Sequence, residues 1–193
     1  MAAAAPLRTS LADYRRQERD RETKHEYWQG IVYAMSGGSV THARLIAEVT
    51  ALLRELTRGG PCRTYGSTLR LRVDAADLSA YPDAMVICGQ PQLHPDDDHE
   101  VVNPKIIVEV TSPSTERFDR GAKSSAYRSI PSVTDYLIVS QHAVSVDHFR
   151  RTSADAFEVR TLGPGGFVAL AGLEGRLSID ELYRDVALEP DTR

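Results

Sequence analysis

Cysteine is scarce. Only Cys62 and Cys88 occur in 193 residues, too few for a disulfide framework or a cysteine metal cage, so both are expected to be reduced packing residues. A basic excess is also missing: the net charge is −4 and the pI about 5.9. The molecule as a whole would repel a phosphate backbone, so any nucleic-acid contact must come from a local patch. No apolar run is long enough to span a bilayer, and MAAAAPLRTS has no basic n-region. The expected compartment is therefore the cytoplasm, without membrane association. Internal repeats, low-complexity tracts, zinc-ligand spacing and helix-turn-helix or zinc-finger motifs are lacking too.

What is present fits a globular chain: 41% hydrophobic and 26% charged residues, enough to bury a core without staples. One domain over residues 1–193 is expected, with 1–9 as a flexible tail. Ser10 is placed to cap a short helix reaching about Glu18. Gly30 reads as a turn between two strand-like pieces, and Gly37 and Gly38 break the second. From Val40 to Thr57, Leu45, Ile46, Val49, Leu52, Leu53 and Leu56 recur at helical spacing, and His42 falls on the same inward stripe.

Gly59, Gly60 and Pro61 end that helix, and the following stretch to Val73 reads as one half-buried strand, with Leu69, Leu71 and Val73 on one face and Arg70 and Arg72 on the other. Asp74 to Tyr81 reads as a turn. Ala84 to Cys88 is short and apolar enough for a central strand, with Asp83 at its mouth. Residues 89–104 carry three prolines and the cluster Asp96, Asp97, Asp98 and Glu100, the composition of an exposed connection. His94 and His99 are expected at the surface. Further strands follow after Pro131, with a short helix near the end. The whole reads as α/β, a mixed central sheet with flanking helices.

Two residues break the apolar pattern. In the strand from Lys105 to Thr111, Ile106, Val108 and Val110 face one way and Ile107, Glu109 and Thr111 the other, so Glu109 is an acid on a buried face. An ionised carboxylate there needs a cation, a metal or several donors. In the next helix Lys123 shares a stripe with Asp119, Ala126, Tyr127 and Ile130. A structural ion pair with Asp119 or Glu109 is the plain alternative to a functional lysine. Asp83 follows Pro82 at the start of its strand, and two carboxylates on adjacent strands suit a hard divalent cation.

The order Pro82-Asp83, then Glu109-Val110-Thr111, resembles the PD-(D/E)xK nuclease superfamily. IVEVTSPST with DRGAKSSAYRSIPSVTDYLIV resembles its Uma-two family, densest from Tyr81 to Val139. The resemblance implies a restriction-endonuclease-like fold and an endonuclease acting on DNA with Mg²⁺, Mn²⁺ being a substitute. It allows a homodimer. Asp83, Glu109 and the Val110 carbonyl would hold the metal. Thr111 stands where the parent pattern has lysine, and Lys123 would replace it from the helix. Glu26 and His42 match an acid and a histidine of the family's N-terminal half. The contrasting expectation is an inactive nucleic-acid-binding or interaction module that keeps the fold.

Overall fold

The structure is a computed structural model that describes residues 8–112 and 115–190. The expected tail falls mostly on residues outside that range, although the Thr9 amide already bonds the Gly30 carbonyl at 2.8 Å. Ser10 caps helix α1 (Leu11–Asp20) by accepting from the Asp13 amide. Strands β1 (His25–Trp28) and β2 (Ile31–Ala34) form a hairpin closed by Gln29 and Gly30. Both loop residues have positive φ, 49° and 88°, the geometry that matches strand twist in a two-residue hairpin.

Helix α2 (Val40–Leu56) starts at the Ser39 cap and buries Leu45, Val49 and Leu53. Next come β3 (Cys62–Gly66), β4 (Arg70–Val73), β5 (Leu78–Ala80) and β6 (Ala84–Cys88). A hairpin of β7 (Leu93–His94) and β8 (Asp97–Val101) precedes β9 (Ile106–Val110). The helical segment after β9 has three parts: α3 (Glu116–Phe118), a π-helical turn (Asp119–Lys123) and α4 (Ser124–Arg128). Strands β10 (Asp135–Val139), β11 (Val146–Arg151) and β12 (Phe157–Leu162) follow. The short strands β13 (Phe167–Val168) and β14 (Leu177–Ser178) and helix α5 (Ile179–Leu182) complete the described chain.

The expected mixed sheet is present, with order β12-β11-β10-β9-β6-β3, and a second six-stranded sheet, β2-β1-β5-β4-β8-β7, stands beside it. Only β9 and β10 run parallel in the first of these, and only β4 and β8 in the second. Strand β9 is buried on both faces. Ile106, Val108 and Val110 pack with α2 and α5, while Ile107 packs with Leu71, Leu78, Tyr127 and Tyr136. The near-continuous apolar reading of β6, β9 and β10 follows from that double burial.

Several expectations are overturned. Cys62 and Cys88, directly opposed on β3 and β6, form a disulfide rather than remaining free thiols. Residues 62–73 make two strands in different sheets, not one, and Arg70 and Arg72 are buried. Arg70 bonds Asp97 at 2.6 Å and Arg72 bonds Asp74 and Asp77 at 2.7 and 2.8 Å, which satisfies guanidiniums that alternation alone would send to solvent. The stretch read as a turn contains β5. The acidic connection is a hairpin whose Asp97 and Glu100 are buried, with Glu100 held by Arg15 at 2.7 Å and by Ser79 at 2.6 Å. His94 is buried beside Arg15, and His148, on β11, is buried against Asp135, whereas His99 is exposed as expected.

Candidate metal centre

Four chain segments bring acids to one place. Pro82 precedes β6 so that Asp83 lies immediately before its first residue, where its Oδ2 accepts the Val110 amide at 2.7 Å. Alternation along β9 then puts Glu109 on the face opposite Val110. Strand β1 adds Glu26, whose Oε1 accepts the Tyr81 amide at 3.1 Å. Asp83, Glu109 and Asp119 are 7%, 4% and 2% exposed.

The helical segment supplies the cation. Lys123 Nζ lies 2.9 Å from Glu26 Oε1, 3.1 Å from Glu109 Oε1 and 3.7 Å from Asp119 Oδ1. Its nearest partners are thus Glu26 and Glu109 rather than Asp119, the neighbour one helical turn away. Tyr127, one turn further on, donates its hydroxyl to Glu109 Oε1 at 2.8 Å. Tyr136 anchors the turn by donating to the Asp119 carbonyl at 3.1 Å. The extra residue of a π-helical turn falls on Asp119–Lys123, a feature concentrated at functional sites.

His42, in the first turn of α2, lies 2.9 Å from the Val110 carbonyl through Nε2 and 3.8 Å from Asp83. Both backbone polar groups of Val110 are therefore engaged, the amide by Asp83 and the carbonyl by His42. Gly38 leaves room for the imidazole, since a Cβ there would clash with the His42 ring. Thr111 turns away from the acids; its hydroxyl bonds the Val139 carbonyl at 3.3 Å.

Burial dominates the proton balance of this cluster. It pushes the Asp83 carboxyl up, against the Val110 amide, His42, Lys123 and a hydrogen bond from Glu109. It pushes Glu109 well up, with Lys123 opposing and the charges of Asp83, Asp119 and Glu26 reinforcing. Asp119 is raised for the same first reason. Burial would lower the Lys123 ammonium, but Glu109, Glu26 and Asp119 together hold it above its ordinary value. Lys123 is therefore a fixed cation at neutral pH.

Asp83, Glu109, Val110, Lys123, Glu26 and His42, all named from sequence, line one cavity of about 670 Å³. Sequence reasoning missed Tyr81 and the bond from Tyr127 to Glu109. Tyr127 and Asp119 were visible on the Lys123 stripe, but nothing local tells a core tyrosine from one that orients an acid. Arg120 pairs with Glu116 and Asp147, and Arg128 stacks over Phe149 and Phe157.

The donor set suits a hard divalent cation. Four carboxylates face one ammonium and one imidazole, the carboxylate and carbonyl oxygens are the candidate ligands, and Asp119 Oδ1 is a buried atom with no hydrogen-bond partner among the described residues. Among the described residues no group of three or more His, Cys, Asp and Glu side chains has the geometry to hold a metal ion.

Known proteins resemble this chain over most of its length. An uncharacterized protein of Synechocystis, slr1290, is 32% identical over 174 residues, covering 89% of this chain and 88% of the relative. A second uncharacterized Synechocystis protein, sll1609, is 30% identical over 151 residues, 78% of this chain and 85% of its own. Among solved structures, that of a putative nuclease belonging to DUF820 from Anabaena variabilis superposes with a TM-score of 0.68 at 16% identity. It covers 84% of this chain and 91% of the other, a likeness of fold. The family model described as "Putative restriction endonuclease" matches residues 11–181, from the first helix through the last, and the chain belongs to that family, Uma2.

Proposed function

We propose that the protein is a Mg²⁺-dependent endonuclease hydrolysing phosphodiester bonds in DNA, with Mn²⁺ as a substitute. The observation that carries this reading is the charge imbalance in one cavity: Glu26, Asp83, Glu109 and Asp119 against Lys123 and His42. Asp83, Glu109 and the Val110 carbonyl would hold the cation. When bound, Mg²⁺ supplies Lewis-acid polarisation of a phosphate oxygen and lowers the pKa of water.

The chain's own groups do the rest. Lys123, held as a cation, binds the anionic phosphate and offsets charge that builds on its oxygens in the transition state. Tyr127 fixes the Glu109 carboxylate and His42 fixes the Val110 carbonyl, so neither must reorganise when substrate arrives. Burial of the acids keeps the local dielectric low and strengthens each of these contacts.

Incubation with plasmid and single-stranded DNA in Mg²⁺ or Mn²⁺ tests the proposal. Cleavage should be lost with EDTA and in Asp83→Asn and Asp83→Ala proteins that still fold. Equal cleavage by wild type and variants rejects it. The 3.1 Å contact between Lys123 and Glu109 favours a second reading, an inactive nucleic-acid-binding module in which the lysine permanently replaces a metal. Calorimetry showing no Mg²⁺ or Mn²⁺ uptake, with DNA present, would select that reading. A cytoplasmic homodimer belongs with the nuclease proposal, and sedimentation of the purified chain tests the assembly.

A further inference from the structure

The cavity beside the acids has a wall that phosphate chemistry does not use. Tyr33 projects from β2, an edge strand, and is 43% exposed. Its ring centroid lies 6.4 Å from that of Phe118, which is backed by Trp28 at 4.8 Å. Phe118 immediately precedes the π-helical turn, and the Lys123 ammonium lies 5.9 Å from its ring. The aromatic wall and the proposed phosphate-binding cation are therefore neighbours.

Gln141 and Glu189 line the same cavity and are bonded to each other at 3.2 Å. An amide and a carboxylate are the groups that pair with the edge of an unpaired base. A carboxylate there is also a poor neighbour for a second phosphate. A base within a duplex offers its faces to adjacent base pairs. It can stack on a protein ring only when it has left the helix.

We infer that the cavity is a nucleobase pocket, in which an unpaired base stacks on Tyr33 and Phe118 next to the scissile phosphate, so that the substrate is single-stranded or locally opened DNA. The inference rests on the nuclease reading for the phosphate's position, but not for the base contact itself. It differs from general phosphate attraction by predicting a loss confined to unpaired strands when the ring is removed.

The test is fluorescence anisotropy in EDTA, with a labelled 12-nucleotide oligothymidylate and a blunt duplex of the same length. Wild type should bind the single strand more tightly than the duplex. Tyr33→Ala should weaken the single strand about fivefold or more, the effect of losing one stacked base, and leave the duplex unchanged; Tyr33→Phe should restore wild-type binding. Equal single-strand binding by wild type and Tyr33→Ala, no preference for the single strand, or no binding of either probe overturns the pocket. Cleavage assays on the same two probes in Mn²⁺ separate the two readings. Loss of stacking in Tyr33→Ala without any cleavage by wild type overturns the nuclease and keeps the pocket. Cleavage of the blunt duplex at the single-strand rate does the reverse.

Discussion

Lys123 is held by three carboxylates at 2.9, 3.1 and 3.7 Å, and what it does to the fold follows from removing it. Lys123→Met leaves Glu26, Glu109 and Asp119 facing one another with no ammonium between them. Breaking a buried pair in this way costs about 3–5 kcal/mol, which a thermal melt in EDTA should register as a large fall. If the acids form a cation site, Mg²⁺ or Mn²⁺ should return much of that loss, because a ligand that binds only the folded state raises its stability. A melting temperature that ignores divalent ions would mean that these carboxylates serve the lysine alone. Sequence made Lys123 and Glu109 stand out because each breaks an apolar stripe. It gave no means of ranking Glu26 above Asp119 as the lysine's partner, since Glu26 comes from a strand almost a hundred residues earlier and only packing brings it near.

The hairpin of β7 and β8 shows the opposite outcome at the level of an element. Prolines and consecutive aspartates made residues 89–104 look like solvent-exposed connection, yet Asp97 bonds Arg70 at 2.6 Å and Arg19 at 3.1 Å. The arginines that overrule the local composition lie on α1 and β4, and no short-range pattern announces them. Helix α2, by contrast, was legible from its own periodicity, because its burial depends on one repeating face. Arg70, Arg19 and the His99 amide outweigh burial and hold the Asp97 carboxyl below its ordinary value. Its stabilisation is therefore fully present above about pH 4, the unfolded value, and lost as pH falls through the lower folded one. Asp97→Asn should cost about 3 kcal/mol at pH 7 and lessen the dependence of stability on pH below about pH 4. Acid titrations followed by circular dichroism, compared with wild type, check both.

At the scale of the whole molecule, strand identities were largely readable and their partition between two sheets was not. Pairings such as β1 with β5 and β4 with β8 join segments separated by long stretches of chain, and alternation within a strand is silent about which neighbour it meets. The disulfide was missed for a related reason: two cysteines in a chain of this size suggested reduced thiols until β3 and β6 set them opposite each other. Reduction, or Cys62→Ser, releases a loop with sequence separation 26, a loss of about 2–4 kcal/mol that should lower the melting temperature by roughly 5–15 °C. Divalent-ion uptake should survive, since neither sulfur lines the cavity. Strand β9, packed on both faces and flanked by β6 and β10, also limits how this sequence could drift over generations. The hairpin between Asp83 and Glu109 is free to gain or lose residues at its tip. A single insertion or deletion within β9 would turn an acid into one core and a valine toward the lysine, so this strand should keep its length while its surroundings vary.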